Sequence, residues 1–193
     1  MKKWNELPKV MRNDKVKYYY DILQEHEKEL KLKRAFDIIC SLIMIIILSP
    51  VLIILSVMIK LDSKGPVLFK QIRVTTYGRK FKIWKFRTMV NNADKLGTQV
   101  TTKGDARITR MGHLLRKVRL DELPQLFNVL KGDMTFVGTR PEVPKYTAHY
   151  TEEMMATFLL PAGVTSRTSI EYKDEEKLLE NAENADEVYI NEV

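Results

Sequence analysis

Residues 38–59 run for twenty-two positions without a charged side chain, and most of them are Ile or Leu. A helix rises about 1.5 Å per residue, so this run reaches roughly 33 Å, enough to cross the hydrocarbon core of a bilayer. It does not read as a secretory signal, because thirty-seven residues rich in charge precede it and no small-residue cleavage pattern follows. Ser49-Pro50 falls near its midpoint. Proline lacks the amide proton and its ring collides with the carbonyl four residues earlier. A break or kink is therefore expected, leaving two halves of about ten residues, each too short to span. Lys31, Lys33 and Arg34 flank the run on one side and Lys60 and Lys64 on the other. Positive flanks mark the cytoplasmic side, so two of them fit a hairpin that enters and leaves by one face; an ordinary kinked spanning helix is the other reading that proline permits. The Ser49 hydroxyl is expected to meet the carbonyl freed near Ile46. Asp37 follows Arg34 by three residues, a spacing that pairs the two as a structural anchor at headgroup level.

The net charge of +7 conceals a strong asymmetry. Residues 60–149 carry nineteen basic against seven acidic side chains, and residues 150–193 carry three against eleven. A cation-rich centre points to a phosphate-bearing partner on a small molecule, a lipid or a nucleic acid. The single cysteine, Cys40, forms no internal disulfide and no thiolate metal cluster, which fits a reducing compartment.

Residues 14–33 place Val16, Tyr19, Tyr20, Leu23 and Leu30 on one side of a helix, read as an interfacial or self-associating helix or as a solvated charged one. Residues 67–74 and Arg79–Phe86 alternate as two short strands around a turn at residues 75–78. Residues 106–118 form an amphipathic helix with a basic rim, and residues 123–131 a second short helix ended by Gly132. No GxGxxG, GxxxxGK[ST] or HExxH signature occurs. The class is an α-rich α+β fold in three parts. These are a charged amphipathic N-terminal helix (1–34), an apolar membrane helix interrupted at Ser49-Pro50 and either re-entrant or kinked (35–60), and a small globular domain (61–193) with amphipathic interfacial helices and a short β-hairpin.

Within the basic centre Asp121 and Glu122 stand adjacent. Nearby Arg116 and Arg119 should keep a carboxylate there ionised, as a nucleophile toward phosphorus or a ligand for a hard cation. Locally, Asp121 also suits the N-cap of the following helix, and Glu122 its dipole. Lys85 and Arg87 lie on one extended segment, and Arg140 on a constrained loop, where a guanidinium can hold a phosphate bidentately.

The run of motifs resembles the bacterial sugar transferase family, the monotopic phosphoglycosyl transferases. It comprises Lys33-Arg34-Ala35-Phe36-Asp37, Ser49-Pro50, Lys85-Phe86-Arg87-Thr88-Met89, Asp105-Ala106-Arg107-Ile108-Thr109, Leu120-Asp121-Glu122-Leu123-Pro124-Gln125 and Asn128-Val129-Leu130-Lys131-Gly132-Asp133-Met134. The resemblance implies that Asp121 attacks the β-phosphate of a UDP-sugar, releasing UMP. The phosphosugar then passes from Asp121 to undecaprenyl phosphate, in a ping-pong reaction requiring Mg²⁺. It implies that Glu122 completes the dyad and helps bind the metal with Asp121, that Arg116 and Arg140 hold phosphate, and that Lys85 and Arg87 line the same site. It implies a re-entrant membrane helix hairpin (35–60) built on Arg34, Ser49 and Pro50 that enters and leaves at the cytoplasmic face of the inner membrane, a small cytoplasmic globular catalytic domain (61–193), and a product handed to downstream glycosyltransferases; whether the chain forms a homo-oligomer stays open.

Thr139 stands where the family commonly has proline, and residues 163–170 differ from its common glycine-tryptophan version. The family also continues past the position of Tyr189 to Val193, so a C-terminal truncation is expected. Two rivals keep other parts of the pattern: a non-catalytic membrane scaffold retaining the fold, and a nucleic-acid binder using Phe81, Trp84 and Phe86. No nucleic-acid motif supports the second.

Overall fold

The structure, a computed structural model, describes residues 1–93 and 105–166. The sequence departure at residues 167–170 and the expected truncation after Tyr189 lie outside the described residues. Helix α1 (Asp14–Glu25) is capped by Asn13, whose side chain accepts from Val16 N at 2.9 Å. Its apolar face is divided: Tyr19 stays exposed, and the rest turns to the core. Val16 and Tyr20 are buried in a core with Leu7, Met11, Val74, Phe158 and Leu159, so the head folds onto the rest of the chain. Tyr20 Oη donates to Lys2 O at 3.0 Å.

Helix α2 (Glu27–Asp62) follows after His26 and runs for 36 residues, with Pro50 inside it. The expected break is thus accommodated within one continuous helix. Proline leaves the Ile46 carbonyl, four residues back, without its amide partner, and Ser49 Oγ donates to that oxygen at 2.8 Å. Burial along α2 comes in two zones. Asp37 and Ser41 are buried in the first half, Leu55 and Ile59 in the second, and no residue of 42–51 is buried. Ile46 and Ile47, near the middle, are 63% and 68% exposed. A core helix would not be so bare: only 17% of its most apolar window is inside the protein.

Strands β1 (Leu68–Thr75) and β2 (Arg79–Phe86) form an antiparallel hairpin in register from Leu68↔Phe86 to Thr75↔Arg79. Its tight turn takes Tyr77 to φ 58° and Gly78 to φ 72°. Helix α3 (Arg110–Lys117) begins later than the apolar spacing implies, because Ile108 is held in a β-bridge with Met89 and Thr109 caps the helix, accepting from Gly112 N at 3.0 Å. Gly112 is required by packing: a Cβ there would sit 2.0 Å from Thr88 O. Helix α4 (Gln125–Lys131) ends at Gly132, in the left-handed region at φ 85°. Two elements escaped the sequence reading, the parallel pair β3 (Met134–Val137) and β4 (Ala162–Thr165), with the short helix α5 (Pro144–Thr147) between them.

Both zones of α2 dock on this body. In the second, Leu55 and Ile59 pack with Phe86 and Leu115, joining α2 to β2 and α3. In the first the fastening is polar. Arg34 donates to the Val129 and Leu130 carbonyls at 2.6 and 2.9 Å, meeting the unpaired end of α4. Asp37, 3% exposed, accepts from Thr135 Oγ1 at 2.6 Å and Phe136 N at 3.3 Å. Its charge partner is Lys33 at 3.4 Å, not Arg34 as the spacing implies. Asp37 is therefore an anchor as expected, but between α2 and β3.

Removing a buried carboxylate that accepts two hydrogen bonds orphans both donors, whereas Lys33 is 42% exposed and solvent replaces it. Asp37→Ala is expected to lower unfolding stability in detergent by about 2–3 kcal/mol, and Lys33→Ala by less than about 1 kcal/mol. Denaturant melts of the two variants check this, and equal losses would contradict the assignment.

Candidate active site

The acid pair lies in a single 3-10 turn, Leu120–Glu122, entered from Arg119 at φ 57°. The leucines on either side hold it in place: Leu120 and Leu123 pack against the cluster of Leu55, Ile59, Phe86 and Leu115. Asp121 is not an N-cap. Helix α4 starts three residues beyond Glu122, with Pro124 at its cap position and no side-chain cap bond. The alternative structural duty suggested by sequence is thus absent, and Asp121 is nevertheless only 8% exposed.

Burial is the largest influence on the Asp121 carboxyl and pushes its pKa above the ordinary value. Lys85 and Arg116 oppose the rise, and the Glu122 charge adds to it. The sequence expectation, built on the neighbouring cations alone, had the opposite sign, because charges are visible in sequence and desolvation is not. Glu122 ends on the other side of its usual value. Burial works against its charged form, but Lys85, Arg119 and Arg140 together hold its pKa down. Lys85 Nζ donates to Glu122 Oε1 at 2.8 Å. Lys85 therefore serves both acids, one through a hydrogen bond and the other through its field.

Arg116 and Arg140 are likewise brought within electrostatic reach of the pair, Arg116 of Asp121 and Arg140 of Glu122. Thr88 Oγ1 accepts from Arg116 Nε at 3.0 Å and orients it. Arg140 is aimed by Glu142, whose carboxylate lies 3.7 Å from Arg140 Nε and 3.8 Å from an Arg73 nitrogen. Arg87 goes elsewhere. It is buried at 5% exposure and donates to the carbonyls of Ser63 at 2.7 Å and Lys64 at 3.0 Å, and to Ser63 Oγ at 2.8 Å. The adjacent positions 85 and 87 thus serve different ends, with Lys85 at the acids and Arg87 closing the C-terminus of α2. Ser49 and Pro50 lie near the middle of α2, and Arg34, in the first half of α2, bonds the carbonyls at the end of α4.

Thr88, Asn128 and Glu142 are supports that the sequence reading did not assign, whereas Arg119, expected beside the acids, acts on Glu122. Asn128 bonds the edge of β2 twice, accepting from Trp84 N at 3.0 Å and donating to Lys82 O at 2.9 Å. An amide on the apolar side of α4 was the available signal. Of the three aromatics in the nucleic-acid reading, Phe81 and Phe86 are buried in the core. Trp84 lies between the ammonium groups of Lys70 and Lys131, 4.7 and 4.2 Å from its ring centroid.

Among the described residues no group of three or more His, Cys, Asp or Glu converges on a metal position. Mg²⁺ commonly uses one or two carboxylates and completes its shell with water and substrate phosphate. Two adjacent acids, one with an oxygen already bonded to Lys85, fit a cation that arrives with a diphosphate better than a permanently caged one.

The family model described as bacterial sugar transferase matches residues 28–193. A UDP-N-acetylgalactosamine-undecaprenyl-phosphate N-acetylgalactosaminephosphotransferase of Aeromonas hydrophila is 46% identical over 123 residues, 64% of this chain and 29% of that protein. A putative undecaprenyl-phosphate N-acetylgalactosaminyl 1-phosphate transferase of Bacillus subtilis (strain 168) is 41% identical over 135 residues, 70% of this chain and 75% of that protein. The UDP-glucose:undecaprenyl-phosphate glucose-1-phosphate transferase of Escherichia coli (strain K12) is 40% identical over 157 residues, 79% of this chain. The chain spans about a third of the Aeromonas and Escherichia proteins and three quarters of the Bacillus one. With a matched region that contains α2, the acid pair and every cation around it, this chain belongs to the bacterial sugar transferase family.

Proposed function

We propose that this chain transfers a sugar-1-phosphate from a UDP-sugar to undecaprenyl phosphate, the initiating step of a glycan, with Asp121 as the nucleophile. The observation that carries the reading is a buried carboxylate without a cap role, paired with Glu122 and countered by Lys85 and Arg116. In the first step an Asp121 oxygen attacks the β-phosphorus. The bond from phosphorus to the bridging oxygen breaks, and UMP leaves with that electron pair. In the second step an oxygen of undecaprenyl phosphate attacks the same phosphorus, and the Asp121 carboxylate is released. A carboxylate held out of water is a stronger nucleophile than a hydrated one, and the cations offset charge that builds on the phosphoryl oxygens. Lys85 fixes Glu122, and Arg116 and Arg140 are placed to hold the diphosphate. Mg²⁺ bound between Asp121, Glu122 and the substrate phosphates would supply charge neutralisation during the transfer. The relatives' names support the acceptor, and differ in the sugar.

The membrane part of the proposal is that α2 enters and leaves by the cytoplasmic face. Supporting it are the docking of both ends of α2 on one body, the bare apolar middle at residues 42–51, and the Ser49 bond that eases Pro50 into the helix. With Cys40→Ser as background, cysteines placed at Lys3 and Lys64 are expected to react with an impermeant thiol reagent from the same side of sealed vesicles. Reaction from opposite sides would establish a spanning helix.

Asp121→Asn is expected to reduce UMP release from UDP-sugars by about 10³-fold or more, and Glu122→Gln by about 10²-fold. A panel of UDP-sugars with Mg²⁺ and undecaprenyl phosphate checks both. Wild-type protein that releases UMP from none of them is the non-catalytic scaffold, and a fully active Asp121→Asn enzyme would exclude Asp121 as nucleophile.

The same substitution should stabilise the fold. The Asp121 pKa is higher folded than unfolded, so between the ordinary value near about 4 and the raised one the native state binds more protons, and stability falls as pH rises. Above that window the cost is constant, and Asn, which does not titrate, does not incur it. Melts are expected to show Asp121→Asn more stable than wild type at neutral pH, with the gain vanishing in acid. A destabilised variant at pH 7 would contradict the burial assignment.

A further inference from the structure

A groove of about 300 Å³ opens beside the acid pair, walled by Leu52 and Ser56 of α2, Val67 ahead of β1, Phe86 at the end of β2, and Pro124 and Phe127 at the start of α4. The hydroxyl of Ser56 donates its proton to Leu52 O at 2.6 Å and is the one polar side-chain group in an otherwise apolar lining. A sugar, nucleotide or hydrated cation placed there would lose water without replacement, so the groove selects an apolar occupant.

Its position says which one. Pro124 follows Asp121 by three residues through consecutive helical turns, which keeps their Cα atoms about 5–6 Å apart. Phe86 is the neighbour of Lys85 along β2. The other wall belongs to the half of α2 where Ile53 and Ile54 are 64% and 58% exposed. The groove thus lies between the apolar, outward face of α2 and the elements that carry the acid pair and Lys85, which stand three residues from Pro124 and one residue from Phe86 along the chain. An acyl chain of a phospholipid is separated from its phosphate by glycerol and ester groups. A polyprenyl phosphate has its phosphate joined directly to the first isoprene, and matches so short a separation.

We propose that this groove seats the isoprene units next to the phosphate of the acceptor and thereby sets the acceptor phosphate against the phosphorylated Asp121. The proposal rests on the transferase reading above, and the two fail differently. Ser56→Phe and Val67→Trp fill the groove from opposite walls. In nanodiscs of phosphatidylcholine and phosphatidylglycerol, each is expected to raise the KM for undecaprenyl phosphate tenfold or more. A burst of UMP from UDP-N-acetylgalactosamine or UDP-glucose without acceptor should persist, since that half-reaction uses no isoprene. An unchanged acceptor KM in both folded variants overturns the proposal.

A second measurement needs no variant. Polyprenyl phosphate carrying a diazirine on its first isoprene is photolysed with wild-type protein, and the label is expected on residues 52–56 or 124–127. Labelling confined to other segments, or displacement of the label by excess phosphatidylglycerol, overturns the groove as the isoprene seat even if both fillers prevent folding. Wild-type protein that gives no UMP burst but labels in the groove would refute the transferase reading and leave the isoprene seat standing.

Discussion

Two leucines carry the site. Leu120 and Leu123 pack into the cluster that Leu55 and Ile59 of α2 form with Phe86 and Leu115, and the acid pair between them goes where they go. A turn this short has too few backbone hydrogen bonds to hold its own position. Apolar burial on both sides makes it rigid, and the burial partner is the long apolar helix itself. The position of Asp121 relative to α2 is therefore set by side-chain packing.

Arginines close the frame. Arg34 meets the carbonyls that end α4, and Arg87 meets those that end α2, each placing a cation at the negative end of a helix dipole. Together with Asp37 on β3 they tie both ends of α2 to the same body. Charge is usually a poor cement at a surface, but here it is directed to carbonyls at the ends of helices. That explains why cations with similar surroundings in sequence, Lys85 and Arg87, separate so cleanly into a chemical and a structural role.

The hairpin, α4 and its glycine stop were legible because each has a local cause: alternation in residues 79–86, a turn that tolerates positive φ, and Gly132 at a helix end. The parallel pair β3 and β4 was not, since two four-residue strands separated by a long excursion carry no local period. The amphipathic head was legible as a helix but not in its destination, because a face of Val16 and Tyr20 looks the same whether it meets lipid or Leu159. At the site, the cations around Asp121 could be counted from sequence, and the sign of its pKa shift could not. Desolvation depends on Leu120, Leu123 and their partners closing over the turn, a tertiary fact.

The reaction proposed for the site brings together two chemistries that repel each other, phosphate on one side and hydrocarbon on the other. A strand solves this with its own geometry, since successive side chains point to opposite faces. At the end of β2, Lys85 is directed to Glu122 while Phe86 joins Leu55, Ile59 and Leu115. The 3-10 turn repeats the device, with Leu120 and Leu123 in the apolar cluster and Asp121-Glu122 against the cations. Charge and hydrocarbon thus meet along a boundary one side chain thick. Moving either element by one residue would exchange the two environments, placing a lysine in the apolar cluster and a phenylalanine against the acids. The spacing of this short stretch is consequently constrained by both sides of the boundary at once.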